Sequence, residues 1–121
     1  MNKSIFVAAA ATLLLLAPVA LAQEQAPHGN AKVGRQLFHA DGCYECHGTV
    51  GQGGGLAGPS LSPMALPFAV FVQQLREPVN NMPPYEPKVL SNADVANIYV
   101  FLRSIPKPPP VADIPALRNL D

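Results

Sequence analysis

The sequence predicts a small all-α domain, on three observations. Three segments carry apolar residues at helical spacing, no stretch sustains a two-residue alternation, and the valines and isoleucines fall inside the helical periods rather than in strand-like runs. The segments are separated by loops rich in glycine and proline, which number 9 and 14 in a chain of 121 residues. There are no internal repeats.

Taken in order, residues 1–22 read as a secretory signal peptide. Lys3 supplies the positive start, residues 5–17 the apolar run, and Ala20, Leu21 and Ala22 a small-x-small cleavage site ahead of Gln23. The alternative is an uncleaved N-terminal membrane anchor, because the apolar stretch approaches the roughly 20 residues that a spanning helix needs. Pro18 and the alanine-rich end favour cleavage. Either outcome puts the rest of the chain outside the cytoplasmic membrane, most simply in the periplasm. The organisation expected is a signal at 1–22, a helical domain at 23–105 and a proline-rich extension at 106–121.

The first helix is predicted over residues 30–38. Asn30 can cap it, Val33 and Leu37 share one stripe, and Ala31, Gly34 and Phe38 share another on which Gly34 lets a second backbone come close. The second starts near Leu66, with Pro67 suited to the first helical position and Phe68, Phe71, Val72 and Leu75 on one face; Pro78 ends it. In the third, Ser91 and Asp94 form a capping box ahead of Val95, Ile98, Phe101, Leu102 and Ile105, and Pro106 stops it. The stretch 48–59 is a glycine-rich loop able to fold tightly against a flat ligand, as well as an ordinary solvent loop. The extension is stiff, and Val111, Ile114, Leu117 and Leu120 recur in it every three residues. It is expected to pack on its own domain or to be loosely ordered, with docking on a partner as the alternative.

Eight basic residues balance eight acidic ones, which argues against nucleic-acid binding, since that calls for a basic patch or stripe. Loss of Lys3 with the signal leaves a slightly acidic polypeptide of about 100 residues, a size at which an apolar core alone is marginal.

The chemistry concentrates at Cys43, Tyr44, Glu45, Cys46 and His47. Two cysteines separated by two residues and followed at once by histidine form the attachment signature of a c-type haem. The thiols would add across the porphyrin's two vinyl groups, and the His47 imidazole would reach the iron. The alternatives fit less well. A redox dithiol asks for a thioredoxin-like βαβ context, and a zinc site needs a fourth ligand that neither His28 nor His39 supplies by spacing. These are the chain's 2 cysteines, so haem would consume both. Asp41, Glu45 and Glu77 read as solvated charges and His39 as a surface or helix-end histidine.

An iron held by His47 has a second axial position, and its occupant separates electron transfer from small-molecule chemistry. Met82 stands among stiffening prolines in Asn80-Asn81-Met82-Pro83-Pro84-Tyr85 and is the ligand candidate. Met64 reads as gap-filling core, the commoner use of methionine.

In this order of parts the chain resembles the class I c-type cytochromes, small monohaem proteins, over nearly all of the sequence after the signal. The resemblance rests on an N-terminal helix, Cys-x-x-Cys-His, Gly58-Pro59-Ser60-Leu61, a further helix, the Met82 loop and a capped terminal helix. It implies a cytochrome c fold wrapped round one covalent haem c, with iron ligated by His47 and Met82. It also implies that Gly34 and Phe38 cross Ile98 and Phe101, that the carbonyl of Pro59 accepts from Nδ1 of His47, and that Leu61 borders the cofactor. The chain has no tryptophan, so Tyr85 or backbone donors would serve a haem propionate. The extension lies outside the family pattern. The function implied is a periplasmic carrier of single electrons between a redox donor and acceptor, not an enzyme, with a place as the cytochrome subunit of a periplasmic dehydrogenase as a further expectation. A haem sensor or haem enzyme with an open or weakly held sixth position is the alternative.

Overall fold

A computed structural model describes residues 27–54 and 58–117. The proposed signal, the first residues after it and Leu120 lie outside the described residues. Four α-helices follow one another: α1 (Ala31–Ala40), α2 (Cys43–His47), α3 (Phe68–Arg76) and α4 (Asn92–Ser104). Two single 3-10 turns, Val111–Asp113 and Pro115–Leu117, follow, and no strand occurs among the described residues. The all-α expectation holds, and the three expected helices are α1, α3 and α4.

Local chemistry explains where each helix starts. The Asn30 side chain accepts from the backbone N–H groups of Lys32 and Val33, satisfying two donors that the first turn leaves without partners. At α4 the capping box is complete: Ser91 accepts from the Asp94 N–H, and the Asp94 side chain accepts from the Ser91 N–H. At α3 the structure differs from expectation. Pro67 stands at the N-cap with φ −57 and ψ 147, so the helix begins one residue later, at Phe68. A proline's φ suits either position; here its ψ stays extended and its carbonyl accepts from Phe71 at 3.1 Å.

The core is made where α1 crosses α4. Phe38, Val95, Ile98 and Leu102 are buried there, and the Phe38 and Phe101 rings meet at 5.6 Å. Gly34 makes the crossing close: a Cβ at that position would run into the backbone carbonyl of Asn97. The Asn97 side chain in turn accepts from the Asn30 N–H at 2.8 Å, tying the start of α1 to the middle of α4. α3 covers the other side of α4, where Phe68 and Phe71 pack on Tyr99 with centroids 5.2 and 5.6 Å apart. The Tyr99 hydroxyl donates to the Leu66 carbonyl at 2.7 Å, so this buried polar tip is paired.

The extension, expected to pack on its own domain or to be loosely ordered, carries only short local structure. Its two 3-10 turns pack on each other and on none of the four helices, and Val111 and Leu117 are exposed. The three-residue recurrence of Val111, Ile114 and Leu117 is the period of a 3-10 turn, in which side chains at i and i+3 eclipse. No helix among the described residues is long and apolar enough to cross a membrane.

Replacing Gly34 with valine should separate α1 from α4, because the obstructing atoms are backbone and cannot swing aside. The expected cost is about 2 kcal/mol or more, as for other overpacked core sites. Denaturant unfolding of the haem-bearing protein checks this.

Candidate haem site

The short α2 was not expected as a separate helix, and it is what gathers the reactive groups. One helical turn carries Cys43, Cys46 and His47 onto a single wall of a cavity of about 820 Å³. Gly42 enters this turn in the left-handed conformation, φ 73, and Gly48 leaves it with φ 80, so α2 is cut off sharply at both ends. The remaining walls come from far along the chain. Phe38 comes from α1, Phe71, Gln74 and Leu75 from α3, Ile98 and Leu102 from α4, and Pro59, Leu61, Met64, Met82 and Tyr85 from the connecting loops. Every site residue expected from sequence therefore lines this one cavity.

His47 is buried, with 9% of its surface exposed. Its Nδ1 lies 2.9 Å from the carbonyl of Pro59. A carbonyl can only accept, so Nδ1 carries a proton, and in the neutral imidazole this leaves the lone pair on Nε2. The glycine-rich loop makes this contact possible. The Gly58 N–H donates to the Cys46 carbonyl at 3.1 Å, and a Cβ on Gly58 would lie 2.7 Å from Nδ1 itself. The loop is thus folded tightly against the histidine, with the Gly53 N–H also donating to the His47 carbonyl at 2.7 Å.

The two cysteines are not joined to each other, and Cys46 is exposed while Cys43 is partly covered. Burial, with the nearby Asp41 carboxylate adding to it, pushes the Cys43 thiol up to about 11. A redox dithiol works through a thiolate of lowered pKa, so this environment speaks against the dithiol alternative.

The loop that carries Met82 is held at several points. Tyr85, three residues on, donates its N–H to the Leu75 carbonyl at 2.8 Å and its hydroxyl to the Asp41 carbonyl at 3.0 Å. Its own carbonyl accepts from Arg76 at 2.6 Å. The same guanidinium donates to the Asn92 side chain at 2.8 Å, linking the loop to the start of α4. The sulfur of Met82 accepts from the Gln74 side-chain amide at 3.7 Å. Met64 belongs to the buried core and also borders the cavity.

Two residues matter here that the sequence did not single out, and a third, Asp41, differs from its expectation. Arg76 carries no signal beyond being a cation in the last turn of α3. Gln74 interrupts the apolar stripe of Phe71 and Leu75, which is a usable signal, since a polar side chain on such a face needs a partner. Asp41, expected as a solvated charge, has its Oδ2 buried without a partner. Burial, and then the Asp94 carboxylate, raise its pKa; the cause is its place at the end of α1, where the chain turns into α2. His39 behaves as a helix-end histidine, stacking on Tyr44 at 5.0 Å with Nε2 3.0 Å from the Thr49 carbonyl.

The residues present fit a porphyrin. The cavity falls within the roughly 300–1,000 Å³ usual for cofactor sites, its walls are mainly apolar, and its donors are two thiols, an imidazole and a thioether, the set a c-type haem uses. An all-α fold closed round such a cavity defines a cytochrome c domain. The chain belongs to the family described as cytochrome c oxidase, cbb3-type, subunit III, whose family model matches residues 29–102. No curated protein and no solved structure matches it. As a cytochrome c domain it is an electron-transfer haem protein with covalently bound haem c, and electron transfer implies redox partners.

Changing Tyr85 to phenylalanine removes the hydroxyl tether to Asp41 and leaves that carbonyl without its donor. The expected loss of stability is about 1 kcal/mol, read as a lower denaturant midpoint followed by haem absorbance.

Proposed function

We propose that the chain is an exported monohaem cytochrome c that passes single electrons between redox proteins, with haem attached at Cys43 and Cys46 and its iron held by His47 and Met82. The observation that carries this reading is the convergence of two thiols and an imidazole from one helical turn with a distant thioether on a single apolar cavity. When bound, haem supplies a metal that gains or loses one electron with little change of ligation. The chain's own residues do the rest.

The Cys43 and Cys46 sulfurs anchor the macrocycle by thioether bonds. His47 offers Nε2 to the metal because Pro59 engages the Nδ1 proton, and that hydrogen bond fixes the ring and makes the imidazole a better donor. Met82 offers a softer sulfur, a choice that raises the reduction potential. Met64 is the weaker candidate, since its side chain is part of the buried core. Phe38, Ile98 and Leu102 keep water from the cavity and disfavour the more highly charged oxidised site. With His47 and Met82 both ligating the iron, no position would remain for a substrate, which favours a carrier over a sensor or enzyme.

Periplasmic location is part of the proposal and is supported by the charged start, apolar run and cleavage site of residues 1–22. We also propose a committed redox partner, with a periplasmic dehydrogenase as the case considered. The support is an extension that leaves Val111 and Leu117 exposed and a family description that names an oxidase subunit.

Met82→Ala should abolish the weak near-infrared sulfur-to-iron band and lower the reduction potential sharply, as seen by absorbance and voltammetry; an unaltered spectrum overturns the ligand assignment. Deleting residues 106–121 should abolish co-purification with the partner while leaving the haem spectrum intact. Identical elution of both forms counts against a complex mediated by the extension.

A further inference from the structure

Gln74 stands on the face of α3 that also presents Phe71 and Leu75 to the cavity. A primary amide on an apolar, half-buried surface carries a desolvation cost unless a partner receives its N–H. The partner here is the Met82 sulfur, 3.7 Å from Nε2. Sulfur in a thioether can only accept, so the amide nitrogen rather than the oxygen faces it. The relative position of the two is held from both sides: Gln74 by a helix, and Met82 by the loop that Arg76 and Leu75 tether at Tyr85.

We propose that Gln74 sets the reduction potential by donating a hydrogen bond to the sulfur of the axial ligand. The inference rests on Met82 being that ligand and adds a residue that acts through it. A thioether sulfur has two lone pairs, so accepting the Gln74 N–H leaves one for the metal. The hydrogen bond draws electron density from the sulfur and makes it a poorer donor. A poorer donor stabilises the ferric state less than the ferrous state, so Gln74 holds the potential up. Gln74 is a positioning residue in this scheme, since it touches the ligand and not the iron.

The test compares Gln74→Leu and Gln74→Glu with the parent holoprotein by redox titration and near-infrared absorbance. Leucine fills the space without a donor. The expected result is a retained sulfur-to-iron band with the reduction equilibrium shifted about three- to tenfold towards ferric, which is about 28 to 59 mV for a one-electron couple. Glutamate keeps the shape and donates only when protonated. Its variant should match the parent in acid, where leucine still falls short, and drop as the new carboxyl ionises; since the carboxylate's charge alone also favours the ferric site, the recovery in acid is the readout that a purely structural role for residue 74 does not produce. An unchanged potential in the leucine variant overturns the proposal and leaves Met82 as ligand. So does loss of the band in that variant, which would make Gln74 a prop rather than a tuning donor. A band that survives Met82→Ala removes the ligand reading and this inference together.

Discussion

Close contact between the backbones of α1 and α4 at Gly34 is the constraint on which the rest of this structure depends. A domain of this size has little apolar surface to bury, and it can enclose a cofactor only if its helices approach each other without intervening side chains. Gly34 provides that approach against Asn97 and Ile98. From the crossing, Phe38, Ile98 and Leu102 project as buried side chains that also form part of the cavity wall. The same packing that stabilises the fold therefore shapes the site. A covalently held porphyrin extends this core, since it brings a large apolar body into the space the helices surround.

Around that frame, the two sides of the site are held by different means. The side bearing His47 is local: α2 is one turn, and the glycine-rich loop after it returns so that the Pro59 carbonyl meets the imidazole while the Gly53 and Gly58 N–H groups bond the backbone carbonyls of His47 and Cys46. Close backbone approach leaves no room for a side chain at Gly58. On the Met82 side the tethers are long-range, and they run through Tyr85 and Arg76 to α3, to the start of α4 and to the end of α1. A stretch outside the regular helices needs such ties, because each residue fixed costs backbone entropy of about 1–2 kcal/mol. Arg76 suits this task because its planar fork donates to two acceptors at once.

Much of this was legible in the sequence. The capping residues Asn30, Ser91 and Asp94 announced helix starts through bonds made within three residues, and the structure contains those bonds. The stripe of Val95, Ile98, Phe101 and Leu102 announced a buried face because helical spacing places these positions together whatever they pack against. The start of α3 was less clear, since a proline's fixed φ is compatible with the cap and with the first turn alike, and only ψ distinguishes them. Asp41 was misjudged for a similar reason: charge is visible in a sequence, but the turn that buries one of its oxygens is not.

What the sequence determined by itself was everything that depends on near neighbours: the helical class, the caps, and the two thiols and imidazole that five consecutive residues bring together. Only the tertiary structure decided which distant groups face them. The approach of Met82 to the cavity, the Gln74 amide at its sulfur and the Arg76 bridge join residues on separate elements or across a turn of loop. No spacing rule encodes them, because they follow from how α3 and its loop settle on α4. The two turns of the extension belong to the same category, since a three-residue period sets a local shape and does not encode what that shape packs against.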